Sequence, residues 1–142
     1  MKTSLIAAVS LCAGLSGCAT MEPQPTGPEP CNTAVCFVSV TVQDCVASVS
    51  NPELHVIHGN NHATIRFQLD RSSVYRYAFT VDGIAFKNDP GGQMRPMGRS
   101  LLGDTYTIID INDAPGRYEY RVGITRRVGA DCPTVDPFII NN

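Results

Sequence analysis

Alternation of apolar and polar residues with a period of two is what most constrains this chain. In the run Thr64-Ile65-Arg66-Phe67-Gln68-Leu69-Asp70, the apolar residues Ile65, Phe67 and Leu69 face one way and the polar ones the other. Tyr75, Tyr77, Phe79 and Val81 form a second apolar row, and Tyr118, Tyr120, Val122 and Ile124 a third. Successive strand side chains point to opposite faces, so each run reads as an antiparallel strand with one face on a core. Further strands are expected at 36–42, 54–58, 105–111 and 135–140. Turn-forming residues separate them: Ser50-Asn51-Pro52, Gly59-Asn60-Asn61, Asp82-Gly83, and 112–116. No helical period of useful length follows the first eighteen residues. Six or seven short strands over about 110 residues predict an all-β fold, an antiparallel sandwich of about seven strands.

One local motif sharpens the architecture. Asp113-Ala114-Pro115-Gly116-Arg117-Tyr118-Glu119-Tyr120 resembles the turn and tyrosine that open strand F of immunoglobulin-like domains. In those domains the tyrosine bonds back to the backbone at a corner. The resemblance implies an immunoglobulin-like sandwich with residues 63–69 as strand B, 75–81 as C, 105–111 as E and 135–140 as G. Residues 54–58 would then be a short edge segment parallel to G. The chain departs from the antibody pattern, because Tyr120 stands where the strand-F cysteine would be, the turn has one extra residue and there is no Trp. The ending Asp136-Pro137-Phe138-Ile139-Ile140-Asn141 also resembles a small uncharacterised group of bacterial β-domains, the DP-EP family, which implies no activity.

The start of the chain speaks to location. Lys2 precedes an apolar stretch from Leu5 to Leu15, too short to span a bilayer, so it reads as a cleaved export signal. The stretch ends in Leu15-Ser16-Gly17-Cys18, which resembles the lipobox of bacterial lipoproteins. The resemblance implies cleavage before Cys18, diacylation of its sulfur and acylation of its new amine. Ala19, not Asp, then implies sorting to the outer membrane, facing the periplasm or the surface. Residues 19–30 hold four of the ten prolines and almost nothing apolar, so they read as a semi-rigid tether. The expected organisation is a signal at 1–17, a lipidated cysteine and tether at 18–30, and one domain at 31–142.

Of six cysteines, Cys12 leaves with the signal and Cys18 takes lipid. Cys31, Cys36, Cys45 and Cys132 remain, an even number in an exported chain, and two disulfides are the natural reading. Three pairings are open. Cys31 and Cys36 flank only four residues, so a small loop can join them. On the immunoglobulin-like mapping, the edge segment beside strand G brings Cys45 near Cys132, which favours that pairing. A zinc site is the rival, weakened by the absence of a CxxC pair.

The side chains offer several chemistries. The formal net charge is −2, which argues against a nucleic-acid partner. All three histidines lie in 55–62, but His55 and His58 fall on opposite faces of a strand. Only His58 and His62 can converge, across the turn at 59–61, and they are the candidate metal ligands. Met94 and Met97 add soft thioethers to a rival reading as a periplasmic copper-binding protein. The segment 82–104 is long for a sandwich connection, and its Met94, Arg95, Met97 and Arg99 alternate apolar and cationic groups. Arg76, Thr80, Arg117, Glu119 and Arg121 lie on the outward faces of strands C and F, beside Arg126 and Arg127. Arg76, Arg117, Arg121, Met94 and Arg95 are therefore the candidate partner-binding residues, suited to an acidic partner. No nucleophile elbow, phosphate loop or paired carboxylates indicate catalysis, and no cofactor is implied. The chain reads as a lipid-anchored envelope protein with a binding or structural sandwich, whose partner would be another envelope protein or a toxin.

Overall fold

The structure, a computed structural model, describes residues 29–142; Cys18 and all but the end of the tether lie outside the described residues. Nine strands account for the fold: β1 (Val35–Gln43), β2 (Val46–Val49), β3 (Glu53–Val56), β4 (Ala63–Leu69), β5 (Tyr77–Phe86), β6 (Met94–Arg99), β7 (Thr105–Asp110), β8 (Gly116–Arg126) and β9 (Phe138–Asn141). They form a five-stranded sheet, β2-β1-β4-β7-β6, and a four-stranded sheet, β3-β9-β8-β5. No helix among the described residues is long and apolar enough to cross a membrane.

The molecule is an immunoglobulin-like sandwich. β4, β7 and β6 take the places of strands B, E and D, and β5, β8 and β9 those of C, F and G. The edge segment predicted to lie parallel to strand G is β3, with Leu54 opposite Ile139 and Val56 opposite Asn141. The first strand departs from a simple meander, since β1 runs parallel to β4, pairing Val38 with Phe67.

Alternation builds the core as expected along β4, where Ile65, Phe67 and Leu69 are buried. Phe67, Phe79, Ile65, Ile108, Ile124 and Tyr120 are among the largest fully buried side chains. The Tyr120 ring packs edge-on against Phe67 at 5.4 Å between centroids and against Phe86 at 5.9 Å. It fills the space in which an antibody domain keeps its disulfide. The tyrosine corner is altered: among the described residues Tyr118 makes no hydrogen bond back to the backbone. Its hydroxyl lies over Gly116 instead, 2.7 Å from where a Cβ would stand.

In two places the strands differ from the pattern expected of the sequence. The row Tyr75, Tyr77, Phe79, Val81 does not face the core throughout, because Tyr75 and Val81 are exposed. Tyr75 belongs to the turn before β5, and a register shift between Phe79 and Ile84 reverses the facing of Val81. Gly83 permits that irregularity, since a Cβ there would come within 2.9 Å of the Tyr106 ring. The segment 82–104 is also not one long loop. β5 continues to Phe86, and residues 94–99 form β6, paired with β7. Pro96 is tolerated because β6 is the edge of its sheet, and Gly98, at φ 101°, accompanies a second shift.

The hairpin from β1 to β2 pairs Gln43 with Val46. Its two-residue turn, Asp44-Cys45, has φ of 48° and 68°, the left-handed pair that suits the twist of a tight hairpin. Cys45 is disulfide-bonded to Cys132, 87 residues on, and Cys31 to Cys36, five residues on. The long bridge joins the hairpin of the five-stranded sheet to the segment leading into β9.

Candidate functional site

Three connections meet at one end of the sandwich: β4 to β5, β6 to β7, and β8 to β9. Backbone hydrogen bonds make them one surface. The Arg127 amide donates to the Arg76 carbonyl at 2.9 Å, and the Phe79 amide donates to the Gly103 carbonyl at 2.7 Å. The Arg127 Nε donates to the Val74 carbonyl at 2.8 Å. The β1–β2 turn joins this end through the Cys45 amide, which donates to the Tyr77 hydroxyl at 3.2 Å.

Asp70 organises the turn at 71–76. Its carboxylate accepts from the hydroxyls of Thr41 and Ser72 and from the Ser73 amide. Hydrogen bonding with Ser73, foremost among these, holds the Asp70 carboxyl below its ordinary range against the opposing effect of desolvation. The Ser73 hydroxyl is fully buried and receives the Val42 amide at 2.7 Å. The Ser73 and Val74 amides donate to Asp70 and the Arg76 and Tyr77 amides to the Ser73 carbonyl, which leaves the outer residues of the turn in a set position.

Those outer residues line a cleft of about 270 Å³ made by Tyr75, Arg76, Tyr77, Arg126, Arg127 and Val128. Tyr75 and Val128 are 83% and 91% exposed, and Leu101 and Leu102 of the β6–β7 connection are exposed as well. The Arg76 guanidinium lies 5.7 Å above the Tyr77 ring. None of Arg76, Arg126 and Arg127 is within ion-pairing distance of a carboxylate among the described residues.

The other candidate residues disperse. Arg117 is at the far end of β8, its Nη2 2.9 Å from Glu53 Oε1 and its guanidinium 3.8 Å above the Phe138 ring. It is nine positions from Arg126, roughly 30 Å along a strand. Arg121 sits between them, exposed and opposite Ala85. Arg76, Arg117 and Arg121 therefore do not form one patch, since Arg117 is neutralised in place. Nearby, Lys87 bridges Glu119 and Asp136 at 2.8 and 2.9 Å. Met94 is buried in the core cluster and cannot meet a partner, whereas Arg95 is exposed. The same inward turn separates Met94 from Met97, which is exposed.

His58 and His62 flank the turn opposite the loop end, and both are exposed. The side chain between them serves structure, as Asn60 Nδ2 donates to the carbonyls of Cys31 and Thr33. Among the described residues no group of three or more His, Cys, Asp or Glu side chains is placed to hold a metal.

A buried polar group lies at that same end. Asp110 is fully buried, and its Oδ1 accepts from the Asn112 amide and from Asn141 Nδ2, each at 3.0 Å. Burial pushes its carboxyl above the ordinary value. Its burial and its bonds to two asparagines suit a structural role.

Tyr75, Leu101, Leu102 and Val128 were not expected to be functional. Leu101-Leu102 did carry a signal, an apolar pair without alternation between the turn residues Ser100 and Gly103. Tyr75 carried none, because it continues the period of its strand. No protein-family model matches the chain, and no curated protein is significantly similar to it.

Proposed function

We propose that the chain is a lipid-anchored protein of the bacterial envelope whose sandwich is a binding domain without catalytic activity. The anchor is Cys18 of the Leu15-Ser16-Gly17-Cys18 motif, acylated after export, and the proline-rich residues 19–30 are its tether. At about 3.1 Å per residue in an extended proline-rich chain, the tether lets the domain work some 35 Å from the membrane. Ala19 directs it to the outer membrane. The two disulfides suit an exported protein.

One observation carries the binding role. The loop end gathers four exposed large apolar side chains and three arginines without carboxylate partners among the described residues, on a set of connections bonded to one another. Monomeric surfaces rarely concentrate such groups without a use. The partner is a protein of the envelope or a toxin that this protein restrains. The copper-binding reading finds no comparable support, since His58 and His62 gain no third ligand among the described residues.

The test is incorporation of labelled palmitate into the protein in its own cells, followed by cross-linking in intact envelopes. The expected result is label that disappears in Cys18→Ser and a discrete cross-linked species. An unlabelled wild-type protein refutes the anchor, and its recovery without any cross-linked partner refutes the binding role.

A further inference from the structure

We propose that the cleft between the β4–β5 and β8–β9 connections binds an acidic segment of a partner protein, with carboxylates set beside apolar side chains. This rests on the reading of the domain as a binding module and is independent of acylation at Cys18.

Two cationic surfaces of the sandwich differ in how far their charges are met. Along the outer face of β8 and its neighbours, Arg117 pairs with Glu53 and Lys87 with Glu119 and Asp136, while Arg121 stands alone among the described residues. At the cleft, Arg76, Arg126 and Arg127 converge with no carboxylate among the lining residues. Their forks are also partly set in advance. Arg127 donates its Nε to the Val74 carbonyl, and Arg76 is stacked by Tyr77. Guanidinium groups held in this way favour planar carboxylates, which they can engage in pairs of hydrogen bonds.

Tyr75 and Val128 border the cations and are almost wholly exposed. They give a bound segment apolar surface to cover, and tyrosine with arginine is the composition of interface hot spots. An anionic lipid surface fits less well. The same end of the molecule bears Asp44, Asp104 and Asp131, none of them paired with these arginines. A flat anionic plane would meet those aspartates together with the arginines, whereas a narrow segment enters the cleft alone.

The experiment uses the isotope-labelled full-length chain in neutral detergent, titrated with a capped pentapeptide of alternating glutamate and leucine. The controls are the same peptide with glutamine for glutamate, and vesicles of phosphatidylglycerol. The amide resonances of Tyr75, Arg76, Arg126, Arg127 and Val128 are expected to move with the acidic peptide. The glutamine peptide should bind about tenfold more weakly, because charge-assisted bonds are roughly twice as strong as neutral ones. The double substitution Arg76→Gln and Arg126→Gln should weaken the acidic peptide by at least about tenfold without altering the dispersion of the spectrum. Equal response to both peptides, shifts confined to other residues, or no response to the acidic peptide would overturn the proposal. Vesicle binding through these residues without peptide binding would overturn it in favour of a lipid surface. A cross-linked envelope partner that persists unchanged in the double variant would remove the cleft and leave the binding role standing.

Discussion

The two disulfides should differ sharply in their contribution to stability. The bridge Cys31–Cys36 closes a separation of five residues, and Cys45–Cys132 one of 87. The chain-entropy relation puts the short bridge at about 2 kcal/mol and the long one at about 4.6 kcal/mol. The perturbation is paired replacement: Cys31→Ala with Cys36→Ala, against Cys45→Ala with Cys132→Ala. All four cysteines are buried, between 1% and 8% exposed, so the loss of packed sulfur is similar in the two variants and cancels in their difference. The left-handed backbone at Cys45 is equally awkward for alanine, so it too cancels. A difference of about 2.5 kcal/mol remains, which is on the order of 10 °C in Tm for a domain near this size. Thermal unfolding of the two variants beside the wild type, followed by circular dichroism under non-reducing conditions, measures it. Equal losses, or a larger loss from the short bridge, would refute the entropic reasoning and move the stabilisation to local packing.

Three further outcomes are expected. Tyr120→Phe removes a buried hydroxyl that has no hydrogen-bond partner among the described residues and keeps the ring contacts with Phe67 and Phe86. It should leave stability unchanged or raise it by about 1 kcal/mol in urea unfolding, and a clear loss would contradict the unpartnered hydroxyl. Asp110→Asn preserves the acceptor for Asn112 and Asn141 and removes a group whose folded pKa is raised by burial. The stability linked to neutral Asp110 is complete below its unfolded pKa and declines as pH rises through its folded value. The substitution should therefore stabilise the protein more at neutral than at mildly acid pH, and a gain that does not vary with pH would contradict the linkage. Gly83→Ala would place a Cβ 2.9 Å from Tyr106 and 3.0 Å from the Phe79 Cβ. A loss of roughly 1–3 kcal/mol is expected from that overpacking, and a lowered denaturation midpoint would report it.

Much of the fold was legible because burial on one face imposes a period of two. β4 runs over Ala63–Leu69 and β7 over Thr105–Asp110, close to where alternation placed them. The parallel partner of the last strand also followed, once the turn before Tyr118 suggested an immunoglobulin-like order. The elements that escaped are those with little apolar rhythm. β2 is four residues long, and β6 carries Pro96 and Gly98 at a sheet edge, where pairing depends on a neighbour.

The loop end was harder to read for the same reason. Arg76, Arg117 and Arg121 look alike in sequence, but the register of β5 against β8 sets Arg76 beside Arg127, and that of β8 against β9 sets Arg117 over Phe138. Tyr75 and Met94 exchanged roles, since a turn and an edge strand decided which of them faces the core. The sequence by itself determined the class of fold and the cysteines available for bridging, and it holds the lipobox-like motif on which the proposed address rests, because each depends on local pattern. Only the tertiary structure decided which arginines converge with no carboxylate partner among the described residues. Strands distant in sequence bring those side chains together, and no local period records their spacing.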